Sequence, residues 1–351
     1  MKSEIKIGHY SVGKAFKPLV IAEMSGNHNQ SLDRALAIVD AAAEAGADAI
    51  KLQTYTADTM TLNLNKNLFK IDDETSLWKG ESLYDLYKKA YTPWEWHKPL
   101  FDRAKELGML AFSSPFDVTS VDFLETLDVP AYKIASFENT DWGLLKKVVA
   151  TDKPIIMSTG LANVSDIDES VRIMRGAGCE DFILLKCTSS YPANPYNTNL
   201  ATIPHMSALF DCQVGLSDHT MGVGAPVAAI ALGATVIEKH FTLSRADGGV
   251  DSTFSLEPHE LKSLVIETER AWQSLGQVKY GIQDTEIKSL RFKRSIYVVK
   301  DIAAGERYNT DNLRVIRPGD GIQPKHFDNI IGMKAVKDIA AGTPFTWDLL
   351  N

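Results

Sequence analysis

Cysteine is scarce in this sequence, with three among 351 residues, and none of them forms a Cys-x-x-Cys pair. This scarcity excludes a disulfide framework and a thiolate zinc site. Long apolar runs are also missing, since the smoothest one, residues 221–237, is interrupted by Pro226 and three glycines, which argues against a membrane-spanning helix. The first residues, MKSEIKIGHYSVGK, contain no apolar segment of signal-peptide length, so we expect a cytoplasmic protein.

Positive charge is not in excess either. Lys and Arg number 37 against 45 for Asp and Glu, which gives a net charge of −8. This balance argues against nucleic acid or an anionic membrane as a partner. The remaining composition is that of an ordinary globular protein, with 44% hydrophobic and 23% charged residues. A chain of this length is expected to form roughly two domains of about 150 residues each.

Short apolar runs alternate with helical patterns up to about residue 280, as they do in βαβ units. The apolar runs predict eight strands, at residues 19–22, 49–52, 110–112, 132–135, 155–157, 182–185, 214–216 and 236–238. Eight strands separated by helices favour a (β/α)8 TIM barrel, of class α/β, over an open doubly wound sheet. No Gly-x-Gly-x-x-Gly motif follows any of these strands, which argues against dinucleotide binding.

One connection, from residue 54 to about residue 109, is long for a barrel loop. It has helical patterns at residues 83–90 and 93–107, so it is not structureless. A long polar and aromatic insertion after a barrel strand is typical of a lid or of a wall of the substrate site. The alternative is a surface excursion without a functional role.

Beyond about residue 285 the pattern changes to short strands and turns. The heptapeptide VKDIAAG occurs twice, at residues 299–305 and 336–342, and the residues that follow match at equal offsets. Such a repeat indicates a compact domain of two related halves, each turning tightly at its Ala-Gly. We therefore predict a catalytic barrel over residues 1–285 and a small C-terminal domain over residues 286–351.

The C-terminal ends of barrel strands are where functional residues gather. Every predicted strand ends in polar residues: Glu23, Lys51, Gln53, Ser113, Ser114, Lys133, Ser136, Ser158, Ser189, Ser217, His219 and residues 238–240. Two lysines with several hydroxyl donors can hold a phosphate or a carboxylate. Each lysine alone could equally be a solvated strand end, but Lys51 and Lys133 on different strands of one barrel favour an anion site.

His219 and His240 end the last two strands, which are neighbours in a closed barrel. Two such imidazoles can hold one divalent metal as an open Lewis-acid site, whereas a lone histidine would be structural. The carboxylates Glu23, Glu138 and Asp251 could bind sugar hydroxyls, move protons or pair with a lysine. The residues alone indicate a metal-assisted barrel enzyme acting on a phosphorylated, carboxylated or polyhydroxy substrate.

The motifs along the chain resemble the sialic acid synthase family, whose members condense phosphoenolpyruvate with a sugar to make nine-carbon 2-keto-3-deoxy acids. The resemblance rests on IAEMSGNHN (21–29), AGADAIKLQT (45–54), SSPFD (113–117), AYKIAS (131–136), IIMSTG (155–160), KCTSSYP (186–192), GLSDHT (215–220) and EKHFT (238–242). RPGDGI (317–322) is similar to the family's antifreeze-protein-like, SAF-type C-terminal domain. The implied fold is a TIM barrel followed by that small domain.

The resemblance also implies roles for individual residues. Phosphoenolpyruvate would be bound by Lys51, Ser114, Lys133, Ser136, Ser158, Ser189 and Ser217. The sugar would be contacted by Glu23, Gln53, Tyr191, Asp251 and Arg317. His219 and His240 would hold Mn2+, with Mg2+ or Co2+ as alternatives, and Glu138 would act with Lys51 and Lys133 in catalysis. Arg317 would reach the site of the partner subunit, because the family forms domain-swapped homodimers.

Within the family, segments 51–62 and 77–96 are similar to the branch whose acceptor is 2,4-diacetamido-2,4,6-trideoxy-L-altrose. Ser189 stands where the sialic acid synthases resemble one another in an Asn, which disfavours N-acetylmannosamine as the acceptor. Three alternatives remain open: a sister synthase making N-acetylneuraminic or legionaminic acid, a metal-dependent aldolase, and a non-enzymatic carbohydrate or ice binder with a degenerate barrel.

Overall fold

A computed structural model describes residues 2–74 and 76–350 of the chain. The chain divides into two compact units, of which the first ends at Gly276 and the second begins at Gln277. The domain boundary predicted from the sequence lies further along, at residue 285. Each unit has its own hydrophobic core, and the cysteines Cys179, Cys187 and Cys212 are free thiols.

The strands of the first unit form a small hairpin and a barrel. The hairpin pairs β1 (Ile5–Ile7) with β2 (Tyr10–Val12) in antiparallel fashion. The barrel strands are β3 (Leu19–Glu23), β4 (Ala49–Thr54), β5 (Leu110–Pro115), β6 (Tyr132–Ile134), β7 (Ile155–Ser158), β8 (Phe182–Cys187), β9 (Gln213–Asp218) and β10 (Val236–His240). They are all parallel and close on themselves, with β10 pairing with β3. The predicted TIM barrel is confirmed.

Helices follow the barrel strands along the chain. They are α1 (Leu32–Glu44), α2 (Ala57–Met60), α3 (Leu83–Ala90), α4 (Trp94–Glu106), α5 (Val118–Glu125), α6 (Trp142–Val149), α7 (Val164–Gly176), α8 (Thr202–Phe210), α9 (Gly224–Ala231) and α10 (Pro258–Leu275), with α11 (Phe327–Ile330) in the second unit. Side chains of Ser31, Asp117 and Asn163 cap α1, α5 and α7 by accepting bonds from backbone N–H groups of the first turn. The long connection after β4 contains α2, α3 and α4. Among the helices described, none is long and apolar enough to cross a membrane.

Strand pairing places the polar ends of neighbouring strands at one level. Glu23 lies opposite Lys51 on one side and His240 on the other, and Glu238 lies opposite Ser217. Because side chains alternate along a strand, residues two apart share a face. Closing the barrel therefore brings these polar groups together above a core of buried Ile, Val and Leu.

The second unit is organised around the repeated heptapeptide. It contains the antiparallel pair β11 (Ser295–Val298) and β12 (Leu313–Ile316). The two repeats bind each other reciprocally: Asp338 accepts a bond from the N–H of Ala304, and Asp301 accepts one from Ala341, both at 2.8 Å. Tyr308 and Phe345, which occupy equivalent positions after the repeats, pack edge to face. The duplicated sequence thus forms two related halves with a common core.

Candidate active site

A cavity of about 290 Å³ opens at the C-terminal ends of the barrel strands. Most of the site residues predicted from the sequence line it: Glu23, Lys51, Gln53, Ser114, Lys133, Ser136, Glu138, Ser158, Tyr191, Ser217, His219, His240 and Asp251. Ser189 is not among the described residues that line this cavity. Arg317 belongs to the second unit, where it follows β12 directly.

Ser189 nevertheless lies close to Ser136, which lines the cavity, because the hydroxyl groups of both serines approach Gly160. A Cβ atom at residue 160 would lie 2.2 Å from the hydroxyl oxygen of Ser189 and 2.6 Å from that of Ser136. A side chain at residue 160 would force both serine hydroxyls to move. Gly160, which follows β7, therefore leaves room for the loops after β6 and β8 to bring Ser136 and Ser189 together.

Four buried charges form the floor of the cavity, and their side chains are between 1% and 6% exposed. Lys51 forms an ion pair with Glu23 and lies 3.9 Å from Glu238. Glu238 lies 3.7 Å from Lys133 on its other side. Positive and negative groups thus alternate. Of the three carboxylates that the sequence offered as partners of a lysine, Glu23 is the one that pairs with Lys51.

Burial and pairing shift the ionisation of these four groups. Burial, helped by the nearby charge of Glu238, raises the pKa of Glu23 to about 7 against the opposing attraction of Lys51. Burial would also raise the pKa of Glu238, but the attraction of both lysines outweighs it and leaves the pKa lowered. Burial lowers the pKa of Lys133, whereas the two carboxylates keep the pKa of Lys51 raised despite its burial. Lys51 and Glu238 are therefore the two firmly charged members.

Hydroxyl groups surround the lysines. Lys51 donates to Ser114 at 3.1 Å and Lys133 donates to Ser158 at 2.7 Å. The hydroxyl of Ser217 donates to Glu238 at 3.2 Å. An anion that entered here would meet ammonium groups and rotatable hydroxyl donors in a desolvated setting, where charge-assisted hydrogen bonds are strong.

The two histidines have the arrangement expected of metal ligands. Their ring centroids are 5.3 Å apart. The Nδ1 of His219 lies 2.9 Å from the carbonyl oxygen of Thr188, and a proton on Nδ1 would leave Nε2 available for a metal. The Nδ1 of His240 is buried and has no hydrogen-bond partner in the described part of the chain. The pair therefore fits a divalent ion.

The ionisation of the two rings differs. Burial holds the pKa of His240 well below its usual value, so this ring is neutral. Burial acts in the same direction on His219, but its contact with Cys187 outweighs it and raises the pKa. Because a metal binds the neutral ring, a proton and a metal would compete for His219. Across residues 2–74 and 76–350 no group of three or more His, Cys, Asp or Glu side chains is arranged as a metal site, so water or substrate would have to complete the coordination.

The insertion between β4 and β5 forms one wall of the cavity. Its contributions are largely apolar or aromatic: Tyr55, Met60, Ile71, Trp78, Leu83, Leu86, Tyr87 and Ala90. The indole N–H of Trp78 donates to the carbonyl oxygen of Val250 at 2.9 Å, which ties the insertion to the loop after β10. Trp78 also packs against Tyr191, whose ring centroid lies 4.4 Å from that of His219.

Sequence reasoning did not assign a role to several residues of the site. Glu238 was noted at a strand end without a function, although it lies two residues before His240 and therefore on the same face. Ser25, whose hydroxyl donates to Asp251, was also missed. The apolar lining residues of the insertion carried no individual signal, because a leucine or methionine there looks like any core residue.

His28, which lies in the segment IAEMSGNHN, is not among the described residues that line the cavity. Its Nδ1 accepts a bond from the N–H of Gln30 at 3.1 Å, and its Nε2 lies 3.3 Å from the hydroxyl of Thr92. Burial lowers its pKa to about 4. His28 is thus a neutral side chain that joins the loop after β3 to the insertion.

A closed parallel barrel whose C-terminal rim collects buried lysines, carboxylates, hydroxyls and a histidine pair defines a TIM-barrel enzyme acting on a small molecule. Residues 38–280 match the NeuB family, and residues 293–351 match the SAF domain. The chain belongs to the NeuB family. The resemblance to the sialic acid synthases and the predicted SAF-type C-terminal domain are thereby confirmed.

Named relatives span nearly the whole chain. A pseudaminic acid synthase from Campylobacter jejuni is 43% identical over 96% of this chain and 97% of its own length. An N,N'-diacetyllegionaminic acid synthase from Legionella pneumophila is 35% identical over 96% of this chain and 95% of its own length. Among solved structures, an N-acetylneuraminic acid synthetase from Leptospira borgpetersenii in complex with citrate has a TM-score of 0.73 and 34% identity, covering 82% of this chain and 94% of that one.

Glu138 provides a test of the electrostatics of the site. Burial raises the pKa of this carboxyl group to about 7, and its Oε2 has no hydrogen-bond partner among the described residues. Between pH 4.5 and 7 the folded protein holds this proton more tightly than the unfolded chain does, so the stability that this group contributes is lost as the pH rises. We expect Glu138→Gln to remove this loss, with a gain in unfolding free energy over the wild type that grows by about 2 kcal/mol from pH 5 to pH 8.

Urea unfolding followed by tryptophan fluorescence at both pH values measures this gain. The matched control is Glu44→Gln, a change at the exposed end of α1, which should leave the pH dependence as it is. An equal difference between Glu138→Gln and the wild type at the two pH values would contradict a perturbed carboxyl group at this position.

Proposed function

We propose that this chain condenses phosphoenolpyruvate with 2,4-diacetamido-2,4,6-trideoxy-L-altrose and water to give pseudaminic acid and phosphate. The reaction forms a carbon–carbon bond between C3 of phosphoenolpyruvate and C1 of the sugar, water adds at C2, and phosphate leaves by C–O cleavage. It is a transferase reaction of the EC 2.5.1 type. The observation that carries the proposal is the buried cradle of Lys51, Lys133 and serines in a chain so similar to a pseudaminic acid synthase.

The cradle suits a substrate with two anionic groups. In this proposal Lys51, with Ser114, and Lys133, with Ser158, hold the phosphate and the carboxylate of phosphoenolpyruvate. Further donors come from Ser136, Ser189 and Ser217. Because both lysines are fixed by buried partners, the enol carbon would be presented in one orientation, and such positioning can account for a large part of catalysis.

Glu138 is the residue that we assign to proton transfer. Its pKa of about 7 lies close to neutral pH, where a general acid or base is most effective. The buried Oε2 has no partner in the described part of the chain, so it is available to a water in the cavity. Glu138 would accept a proton from the water that adds at C2, while Lys51 and Lys133 stabilise the negative charge on the phosphate.

His219 and His240 are proposed to hold a divalent ion, Mn2+ in preference to Mg2+ or Co2+. Such an ion supplies Lewis-acid polarisation of the sugar's carbonyl oxygen when it is bound. The two rings come from neighbouring strands, and the carbonyl of Thr188 orients one of them.

The acceptor sugar would lie between the rim and the insertion. Glu23, Gln53, Tyr191 and Asp251 supply polar contacts on the rim. The wall of Met60, Ile71, Trp78, Leu83, Leu86 and Tyr87 is apolar over most of its surface. It suits the 6-methyl group and acetamido methyls of a trideoxy diacetamido sugar, whereas a 6-hydroxyl group there would lose its water without a partner. We also propose a domain-swapped homodimer, in which Arg317 of the partner subunit contacts the sugar.

The second candidate is a sister synthase acting on an N-acetylneuraminic or legionaminic acid precursor, which the identity to the legionaminic acid synthase supports. The test is phosphate release by the full-length protein with Mn2+, phosphoenolpyruvate and each acceptor in turn. We expect the highest kcat/KM with the diacetamido trideoxy altrose. Faster release with N-acetylmannosamine or with the legionaminic precursor would select the sister activity. Cleavage of added nine-carbon keto acid to pyruvate and the sugar, with no consumption of phosphoenolpyruvate, would select an aldolase.

The histidine pair has a separate test. His219→Ala and His240→Ala should each abolish metal-dependent turnover and leave the fold intact, because each change removes one of two proposed metal ligands. The measurement is phosphate release after chelation and readdition of Mn2+, with circular dichroism as the check on folding. His205→Ala, in α8, is the control and should keep full activity. Full activity of either variant without added metal would refute the assignment.

Substitution in the wall tests acceptor selection. Leu83→Gln places a polar group in the apolar lining, and we expect it to lower kcat/KM for the 6-deoxy acceptor by about tenfold while affecting a 6-hydroxylated acceptor less. Leu209→Gln, an exposed position on α8, is the matched control and should change neither value. An equal loss for both acceptors would mean that the wall does not select for the deoxy group.

A further inference from the structure

Behind the two histidines lies a buried ion pair that the reaction described so far does not use. Lys239 and Asp218 are 0% and 1% exposed, and the ammonium lies 2.7 Å from the carboxylate. Neither residue is among the described residues that line the cavity. Since alternate residues of a strand face opposite sides, both point away from the interior of the barrel, on the side opposite Glu238 and His240.

The position of this pair in the strands is what links it to the site. Asp218 is the last residue of β9 and directly precedes His219, while Lys239 directly precedes His240 in β10. The two residues lie opposite each other in the strand pairing. Any shift between β9 and β10 that separated the two histidines would therefore also break this ion pair.

The pair also holds the loop that carries His219. Lys239 donates to the carbonyl oxygens of Thr220 and Gly222, at 2.5 and 3.0 Å, in addition to its bond to Asp218. Asp218 accepts bonds from the N–H and the hydroxyl of Thr220, at 3.0 and 2.9 Å. All three donors of the ammonium are used, so the network fixes the backbone on both sides of His219.

We propose that the Asp218–Lys239 pair positions the two histidines for metal binding, and these two are positioning residues that act through His219 and His240. The inference rests on the metal site proposed above. A buried ion pair is a weak source of stability, because well-packed neutral groups of similar size often replace it without loss. Its directional bonds do constrain geometry, and groups that orient metal ligands affect metal affinity by roughly 10- to 100-fold.

The test is Mn2+ binding by the full-length protein, followed through the electron paramagnetic resonance signal of free Mn2+. The variant is Asp218→Asn with Lys239→Met, which removes both charges together and leaves neither one buried alone. We expect the Kd for Mn2+ to rise by about 10- to 100-fold and the spectrum of bound Mn2+ to change, while the melting temperature stays close to that of the wild type. Unchanged Kd and spectrum would overturn the positioning role.

The matched control is Lys17→Met with Asp48→Asn. The Lys17 ammonium lies 2.6 Å from the Asp48 carboxylate, against 2.7 Å in the test pair, and Asp48 is 3% and Lys17 45% exposed. Asp48 likewise binds a neighbouring strand, through the N–H of Val20. It lies at the opposite end of β3 and β4 from the cavity, so the Kd should remain within about twofold of the wild-type value. A control that weakened Mn2+ binding as much as the test variant would overturn the proposal, because any lost ion pair would then have the same effect.

Mn2+ binding is also measured for a milder variant of the network and for the two histidine variants. If the double variant does not fold, Thr220→Val removes one bond to Asp218 and should still raise the Kd for Mn2+ severalfold, and an unchanged Kd there overturns the proposal. The variants His219→Ala and His240→Ala test the metal site itself, separately from the positioning role of Asp218 and Lys239. Loss of Mn2+ binding in these variants but not in Asp218→Asn with Lys239→Met overturns the positioning role alone, whereas Mn2+ binding retained in all of them overturns the metal site and this inference with it.

Discussion

The burial of four charges at one end of the barrel is the constraint on which the rest of the structure depends. Lys51 and Lys133 have lost their water, and Glu23 and Glu238 hold them in place. Removing Lys51 or Glu238, the two firmly charged members, would leave the other as an uncompensated buried charge, which is strongly destabilising. The strands must therefore keep their spacing, and the cavity exists before a substrate enters. An arriving anion competes with the carboxylates for ammonium groups that already have fixed positions.

Strands β9 and β10 carry buried charged residues on both of their faces. In β9 and β10 the inward residues carry the charged floor and the histidines, while Asp218 and Lys239 lie on the outer face. The hydrophobic core occupies the lower levels of the barrel, where buried Ile, Val and Leu contribute side chains without polar atoms. The reactive side chains thus lie at one end of the barrel, where the apolar part of each strand stops.

Much of this level could be predicted from the sequence, because apolar runs that end in Lys, Ser or His mark strand ends directly. The strands nevertheless extend further than predicted, as β5 and β8 show by continuing to Pro115 and Cys187. Polar residues looked like the start of a loop there, but they still pair in the barrel. The partners of Lys51 and Lys133 could not be predicted, since a glutamate signals charge without showing which lysine it faces. The apolar wall could not be predicted either, because its leucine, isoleucine and methionine residues look like core residues in the sequence.

The rim and the wall come from different parts of the chain, and this separation bears on specificity. The rim is built from strand ends, whose positions the barrel fixes, so its residues suit the binding of phosphoenolpyruvate that we propose for them. The wall is built from an insertion tied down by a few contacts, such as that of Trp78 with Val250. Changes in its side chains would leave the buried charges undisturbed. A fixed rim with a variable wall would allow one condensation reaction to be combined with different acceptor sugars, and relatives of this chain are named as synthases of pseudaminic acid and of N,N'-diacetyllegionaminic acid.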